Sequence, residues 1–327
     1  MSSTMTMAKA LNEGLRRAME ANPKVLLMGE DIGKLGGVFR VTDGLQKDFG
    51  EDRVIDAPLA ESAIIGTAVG LAIRGYRPVT EIQFDGFVYP AFDQIVSQVA
   101  KLRSRSSGVY EMGMVIRIPF GGGIGAIEHH SESPEGYFAH TAGLRVVSPS
   151  TPNDAYWMIQ QAIAHPDPII FCEPKCRYWE KGEVDTDAPP RGLFEASRLR
   201  EGTDVTIIAY GPSVRTCLRA AEAAANEGRS VEVIDARSIA PLDYAPMAAS
   251  LEKTGRLVVV QEGPANASVS SEIVARLSEE CFYSLRAPGV RVTGYHTPYP
   301  PSKVEEEFLP NVDRKLDAID RVMGFEA

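Results

Sequence analysis

The sequence predicts an α/β protein of two open, mostly parallel-sheet domains in tandem, and three observations carry that prediction. Apolar β-branched runs alternate with helix-period segments from Val25 onward, the pattern of helices layered on a parallel sheet. The alternation stops at residues 180 to 203, a polar, Pro-rich stretch without periodicity that reads as an interdomain linker. It then resumes, dividing the chain into 1–183, a linker at 184–203, and 204–327. A length of 327 residues with 44% hydrophobic content supplies ample core for two domains.

In the first domain the strand candidates are 25–28, 79–84, 114–120, 144–147 and 168–171. The stretch from Asp56 to Gly75 reads as a small, apolar helix with one acid, Glu61, at its mouth. Pro90 opens a helix over 91–103, where Phe92, Ile95, Val96, Val99 and Leu102 recur at the three-and-four spacing of one buried face. Thr151 is a good N-cap, with Pro152 at the first helical position and Asp154 in the first turn of a helix that runs through Ile163. In the second domain the strands are expected at 205–210, 230–235, 256–260 and 290–293, with helices between them. The Ala-rich stretch 214–228 has strong helix propensity and a Gly at its end. No internal repeat or low-complexity tract interrupts the pattern.

A formal charge of -10 argues against a nucleic-acid surface, which needs clustered Lys and Arg, and suits a partner with a basic face or simple solubility. No apolar run approaches the roughly 20 residues of a membrane span, and residues 1–6 read as a short polar lead without a signal-peptide core. The expected location is cytoplasmic. Cys172, Cys176, Cys217 and Cys281 are scattered, and the C172-E-P-K-C176 pair has no second pair to complete a zinc site, so reduced structural thiols are expected.

Glu61 has two readings. A buried carboxylate resists ionisation and can share a proton with a basic ring nitrogen on a ligand; an acid in a first helical turn can equally be there for the macrodipole. The segment 121–140 follows a strand and holds three of the five histidines. Gly121, Gly123 and Ala126 fit a dinucleotide fingerprint, but His129, His130, two Ser and Pro134 follow where a helix should begin. Metal ligation by Glu128, His129, His130 and His140 matches no zinc spacing. A Gly-rich loop presenting a histidine for proton transfer, or a loop histidine bonded to backbone, remain. Phe84, Phe87, Tyr89 and Phe92 cluster after a strand, as core or as a platform for a planar ring. A P-loop, an H-E-x-x-H helix and a G-D-G motif followed by paired Asn are all lacking, so any phosphorylated, magnesium-bound cofactor needs an anchor from another polypeptide.

Taken together, these motifs resemble the β subunit of the E1 component of 2-oxoacid dehydrogenase complexes. The matching residues are G-E-D at 29–31, G-V-F at 37–39, P-L-A-E at 58–61, E-I-Q-F at 81–84, P-A-F-D-Q at 90–94, H-S-E-S-P-E at 130–135 with His140, and E-P-K at 173–175. The resemblance implies a thiamine-diphosphate pyrimidine-binding domain followed by a transketolase C-terminal-like domain. It implies that Glu61 hydrogen-bonds N1′ of the aminopyrimidine, within an apolar neighbourhood of Ala60, Ala63 and Ile64 that would exclude water. Phe87 matches the aromatic that packs on that ring, Leu59 and Gln83 its other neighbours, and His130, with His129 as substitute, the histidine of substrate handling and acyl transfer. Thiamine diphosphate and Mg2+ are the implied cofactors, with diphosphate and metal held mainly by an α subunit and no metal ligand in this chain. The implied assembly is an α2β2 heterotetramer whose β C-terminal domain docks the E2 acyltransferase core and whose substrate includes the lipoyl domain. The run from Ser131 to His140 is closer to branched-chain than to pyruvate dehydrogenases. The chain departs from the animal branched-chain pattern at Phe87, where tyrosine is usual, and around 162–167, where a monovalent-cation site would be expected. The rivals are a pyruvate dehydrogenase β subunit and a non-catalytic scaffold that only docks E2.

Overall fold

A computed structural model describes residues 2–187 and 191–325; positions 188–190 of the expected linker lie outside the described residues. The chain forms two compact units. One comprises Met1–Phe120 and Tyr137–Leu193, the other Gly121–Gly136 and Phe194–Ala327.

In the first unit the strands are β1 (Ser2–Thr6), β2 (Val25–Gly29), β3 (Val54–Asp56), β4 (Arg77–Glu81), β5 (Val115–Phe120), β6 (Arg145–Val147), β7 (Ile169–Pro174) and β8 (Lys181–Asp185). Six of them lie side by side in the order β6-β7-β5-β4-β2-β3, and every adjacent pair is parallel. All five residues of β2 and all six of β5 and β7 are buried, which is why their sequences read as near-continuous apolar runs. From β2 the chain steps to β3 on one side and then to β4 on the other, so the strand order reverses between β2 and β4. In such sheets the crevice outside the carboxyl ends of the strands at that reversal is the usual ligand site. The helix Met7–Ala21, capped by the Thr6 hydroxyl on the Lys9 N–H, packs against the helix Pro152–Ala164.

The second unit contains β9 (Ser197–Arg200), β10 (Val205–Ala209), β11 (Val231–Asp235), β12 (Ser238–Ala240), β13 (Leu257–Pro264) and β14 (Val290–Gly294). A five-stranded sheet runs β14-β13-β10-β11-β9, parallel except where β9 pairs with β11. Val205, Ile207, Val258 and Val260 meet Val214, Cys217 and Ala221 of the helix Val214–Asn226 and Ile319 of the helix Val312–Met323 in one core. Burying each Val or Ile side chain contributes roughly 1.5–3 kcal/mol. Here the order reverses between β10 and β13, giving a second crevice at Tyr210 and Glu262.

Three expectations need correction. Residues 2–6 are not a polar lead: they form β1, antiparallel to β8 with Ser2 opposite Asp185. Its polar side chains are used, since Ser2 Oγ and Thr4 Oγ1 both donate to the Glu183 carboxylate at 2.5 and 2.9 Å. The stretch 180–203 likewise contains β8 and β9, short polar edge strands without an apolar run to reveal them. The helix expected at 91–103 is broken into a 3₁₀ turn at Asp85–Ala91, a wide turn at Gln94–Val99 and one α turn at Leu102–Arg105. The Ala100 N–H there bonds to the Ile95 carbonyl five residues back. Ile95 and Val99 are still buried.

Candidate active site

The crevice of the first unit collects acids from three successive strand ends. Pairing of Gly29 with Asp56 and with Glu81 sets β2, β3 and β4 level, so Glu30 follows immediately after β2 and Gln83 two residues after β4. Glu61 opens the helix Glu61–Ile73 five residues beyond β3. Gly29 allows this close approach, because a Cβ would lie 3.0 Å from the Glu81 carbonyl oxygen, tighter than all but a few real contacts. The next residue but one, Asp31, has φ 57, a left-handed backbone that Asp tolerates better than most residues and that stores strain typical of functional sites.

Glu61 is 8% exposed and Glu30 5%. No hydrogen bond of good geometry reaches either oxygen of Glu30 among the described residues, although the Ala60 amide lies near enough to favour its charged form. Burial, then the neighbouring charges of Glu61 and Asp31, push Glu30 up to about 6; the Ala60 amide opposes the shift only weakly. An orphaned buried carboxyl costs free energy in the absence of a ligand, so this pair is suited to receive hydrogen-bonding groups from one. Ala60 is the N-cap residue of the Glu61 helix and has no capping side chain.

The same crevice holds an acid that is fully matched. The buried Arg117 guanidinium donates to Glu81 at 2.5 Å and to both oxygens of Glu173 at 2.6 and 2.8 Å, and the Tyr178 hydroxyl donates to Glu173 at 2.5 Å. Burial works against the Arg117 charge, but Glu173 and Glu81 outweigh it and hold the guanidinium protonated. Lys175 and Asp85, both fully buried, form an ion pair beneath the aromatic residues. The Lys175 ammonium lies 5.8 Å from the centre of the Phe84 ring. Phe84 stacks edge-on against Phe39 and Phe87, with ring centres 5.4 and 5.9 Å apart. Gln83 reaches Asp31 through a long 3.4 Å hydrogen bond. Phe84 and Phe87 are therefore half-buried rings on a charged, rigid base.

Of the expected site residues, Glu61, Gln83 and Phe87 belong to this first unit and cluster at the strand ends. Leu59 also lies there, but at 81% exposure. Ala63 is exposed as well, which corrects the expectation of a water-excluding shell around Glu61 within this chain alone. His130 belongs to the second unit, half-buried in a 3₁₀ turn at Glu128–His130 with His129 exposed beside it. Among the described residues no group of three His, Cys, Asp or Glu side chains is placed to hold a metal ion, and Cys172, Cys176, Cys217 and Cys281 are not joined in disulfides. Around 162–167 two acceptors are engaged by the chain's own cations. Arg77 donates to the His165 carbonyl at 2.8 Å, and Asp167 pairs with Arg103 and Arg145.

Glu30 and the Arg117 network carried no assigned role in the sequence. The signal for Glu30 was G29-E-D31, acids directly after a fully apolar strand; nothing local marks Arg117 as the partner of Glu173, 56 positions away.

Two domains of this construction, with an acid-lined crevice at the reversal of the first sheet, define a protein of the transketolase-like class. Residues 3–179 match the transketolase pyrimidine binding domain and residues 195–314 the transketolase C-terminal domain. The chain is 61% identical over 322 residues to the pyruvate dehydrogenase E1 component subunit beta of Leifsonia xyli subsp. xyli, covering 98% of this chain and 96% of that protein. It is 54% identical over 321 residues to the 3-methyl-2-oxobutanoate dehydrogenase subunit beta of Mycobacterium tuberculosis, covering 98% and 92%. A solved structure, "Split gene transketolase, inactive beta4 tetramer", superposes with a TM-score of 0.82 over 99% of each chain at 21% identity, a likeness of fold alone. The chain belongs to the family of E1 β subunits of 2-oxoacid dehydrogenases.

Proposed function

We propose that this chain holds the aminopyrimidine end of thiamine diphosphate against Glu61 and acts only with an α subunit, in an α2β2 heterotetramer whose α chains hold the diphosphate and Mg2+. The observation that supports this best is the pair of buried carboxylates, Glu61 and the partnerless Glu30, at the reversal of the first sheet. The residues fit the group. A ring nitrogen and an exocyclic amine suit two adjacent carboxyls, and Phe84 and Phe87 offer apolar faces to a planar ring. When bound, the cofactor supplies the electron sink that decarboxylation of a 2-oxoacid requires.

The chain's own residues bind, orient and move protons. Glu61 holds a proton at N1′ of the pyrimidine, and a carboxyl shielded from water does this best. Phe87 would pack on the ring, with Gln83, which reaches Asp31 at 3.4 Å, and the exposed Leu59 as its other neighbours. His130 serves as acid or base for substrate and for acyl transfer to the lipoyl group of E2. The functional division follows 1–183 for cofactor binding and 204–327 for assembly, with 184–203 between them. The E2 core docks on the second of these. An acidic chain of net charge -10 suits a basic E2 segment, and affinity for it should fall as salt rises.

For the substrate we put branched-chain 2-oxoacids first, on the Ser131 to His140 run. Pyruvate is the second reading, favoured by the 61% identity to a pyruvate dehydrogenase subunit. One or two methylenes are worth only about 1–3 kcal/mol of discrimination, so the α subunit shares in the choice. The test is 2-oxoacid-dependent reduction of an artificial acceptor by this chain, alone and co-expressed with an α subunit, on pyruvate and 3-methyl-2-oxobutanoate. Activity only with α, higher on the branched acid, is the expected result. Preference for pyruvate would reverse the substrate order, and no turnover by a correctly assembled tetramer would favour a scaffold that only docks E2.

A further inference from the structure

The histidine loop follows β5, yet residues Gly121–Gly136 belong to the second compact unit, and the way they are attached there is unusual. Gly121, Gly123 and Gly125 all have left-handed backbones, with φ of 80, 83 and 71. Alternating such residues turns successive backbone N–H groups towards a common side, the geometry of an anion-binding nest. Two carboxylates of the second unit fill it. The Gly122 N–H donates to Glu262 at the end of β13. The Gly123 and Gly125 N–H groups donate to Glu305, at 2.9 Å to Oε1 and 3.1 Å to Oε2, and the Tyr299 hydroxyl donates to the same carboxylate at 2.7 Å.

Glu305 is 8% exposed while the donor glycines Gly123 and Gly125 lie at the surface, so these charge-assisted hydrogen bonds are partly shielded from water, which strengthens them. The loop closes on itself through the Gly121 N–H and the Glu132 carbonyl at 2.8 Å. Its far end is held at the second crevice, where the Tyr210 hydroxyl donates to Glu135 at 2.8 Å. Between the two holds lies the Glu128–His130 turn. Gly122 packs directly against this hold: a Cβ there would overlap the Tyr299 hydroxyl.

We propose that Glu305 is a positioning residue that sets where His130 stands, by gathering the Gly123 and Gly125 amides and the Tyr299 hydroxyl, with Glu262 as a second hold at Gly122. This rests on the reading of His130 as a participant in the reaction. Removing the Glu305 side chain leaves the Gly125 amide without its acceptor and the Gly123 amide with only the Tyr299 hydroxyl at 3.3 Å, and loosens the turn that carries the imidazole. Glutamine retains an acceptor oxygen and loses only the charge, so it restores part of the hold.

The test uses the assembled α2β2 enzyme carrying E305A, E305Q, H130A and the double variant E305A/H130A. Amide hydrogen exchange is read across 121–136, and acyl transfer to a lipoyl domain is read as kcat and KM. In E305A, exchange across the 122–130 segment should rise at least about tenfold while β10 stays protected. The kcat should fall about tenfold or more with little change in KM, and E305Q should recover part of both. On the H130A background E305A should cost less than about twofold, because a residue that acts through another loses its effect when that other is gone. Unchanged exchange in E305A, or the same full loss of kcat with His130 already removed, would overturn the proposal. If H130A alone leaves kcat intact, the reading of His130 fails, and exchange alone then decides whether Glu305 holds the loop.

Discussion

The two crevices are built alike and used differently. Each lies where a parallel sheet reverses its strand order, and each has buried acids near it, from strand ends in the first unit and from β13 and two short helices, Glu135–His140 and Glu305–Phe308, in the second. In the second unit most of their hydrogen-bonding capacity is used within the protein: Glu262 and Glu305 accept from glycine amides, and Glu135 accepts from Tyr210 through Oε1, with its Oε2 left without a partner among the described residues. In the first unit Glu81 and Glu173 are matched by Arg117, whereas Glu30 has no partner beside the buried Glu61. Matched acids fix structure, and an unmatched one keeps its hydrogen-bonding capacity for a ligand. Both oxygens of Glu30 are unmatched against one of Glu135, and on this difference of degree we propose the first crevice for binding and the second mainly for anchorage.

The comparison breaks most visibly in stability. Arg117→Met strands two buried carboxylates and should cost about 3–5 kcal/mol; a loss below about 1 kcal/mol in denaturant titration would mean that the network is not enclosed as described. Glu135 comes next. Burial, with a lesser contribution from Glu262, pushes its pKa up to about 7 from an ordinary value of 4.5. The folded protein then binds this proton more tightly than the unfolded chain, so stability is lost as pH rises from about 4.5 through about 7. Glu135→Gln keeps an acceptor for Tyr210 and removes the titration. At pH 8 it should be more stable than wild type by an amount on the order of 3 kcal/mol, and at pH 4 the difference should vanish. Parallel pH profiles would contradict the assignment.

Glu30 repeats this behaviour at smaller scale. With its pKa raised to about 6, stability is lost as pH rises from about 4.5 through about 6. Nearer the surface and partly screened, Glu30→Gln should add only about 1 kcal/mol above pH 7. Thermal melts of both glutamine variants across pH 4–8 rank the two crevices directly, and a larger gain at Glu30 than at Glu135 would reverse the ranking.

What could be read from the sequence follows from how each feature is encoded. Strands such as β2, β5 and β7 are buried along their whole length and announce themselves as apolar runs. β1, β8 and β9 are polar and largely at edges, so neither alternation nor hydrophobicity marks them. Glu61 is legible because an acid at the head of a small apolar helix is conspicuous; Ala63 reads as part of its water-excluding neighbourhood, yet is exposed in this chain. The holds on the histidine loop could not be read at all. Gly122 and Glu262 are 140 positions apart, and Gly123 and Glu305 are 182 apart, and no local spacing encodes a pairing made by the tertiary fold.

The most direct test of the central claim is decarboxylation by the assembled α2β2 enzyme carrying Glu61→Gln, followed with an artificial acceptor on its preferred 2-oxoacid. The account predicts an intact tetramer whose rate falls about 10²–10⁴-fold, the loss typical of removing a positioned proton-transfer group. Full activity in that variant would show that the first crevice is not where the chemistry is prepared.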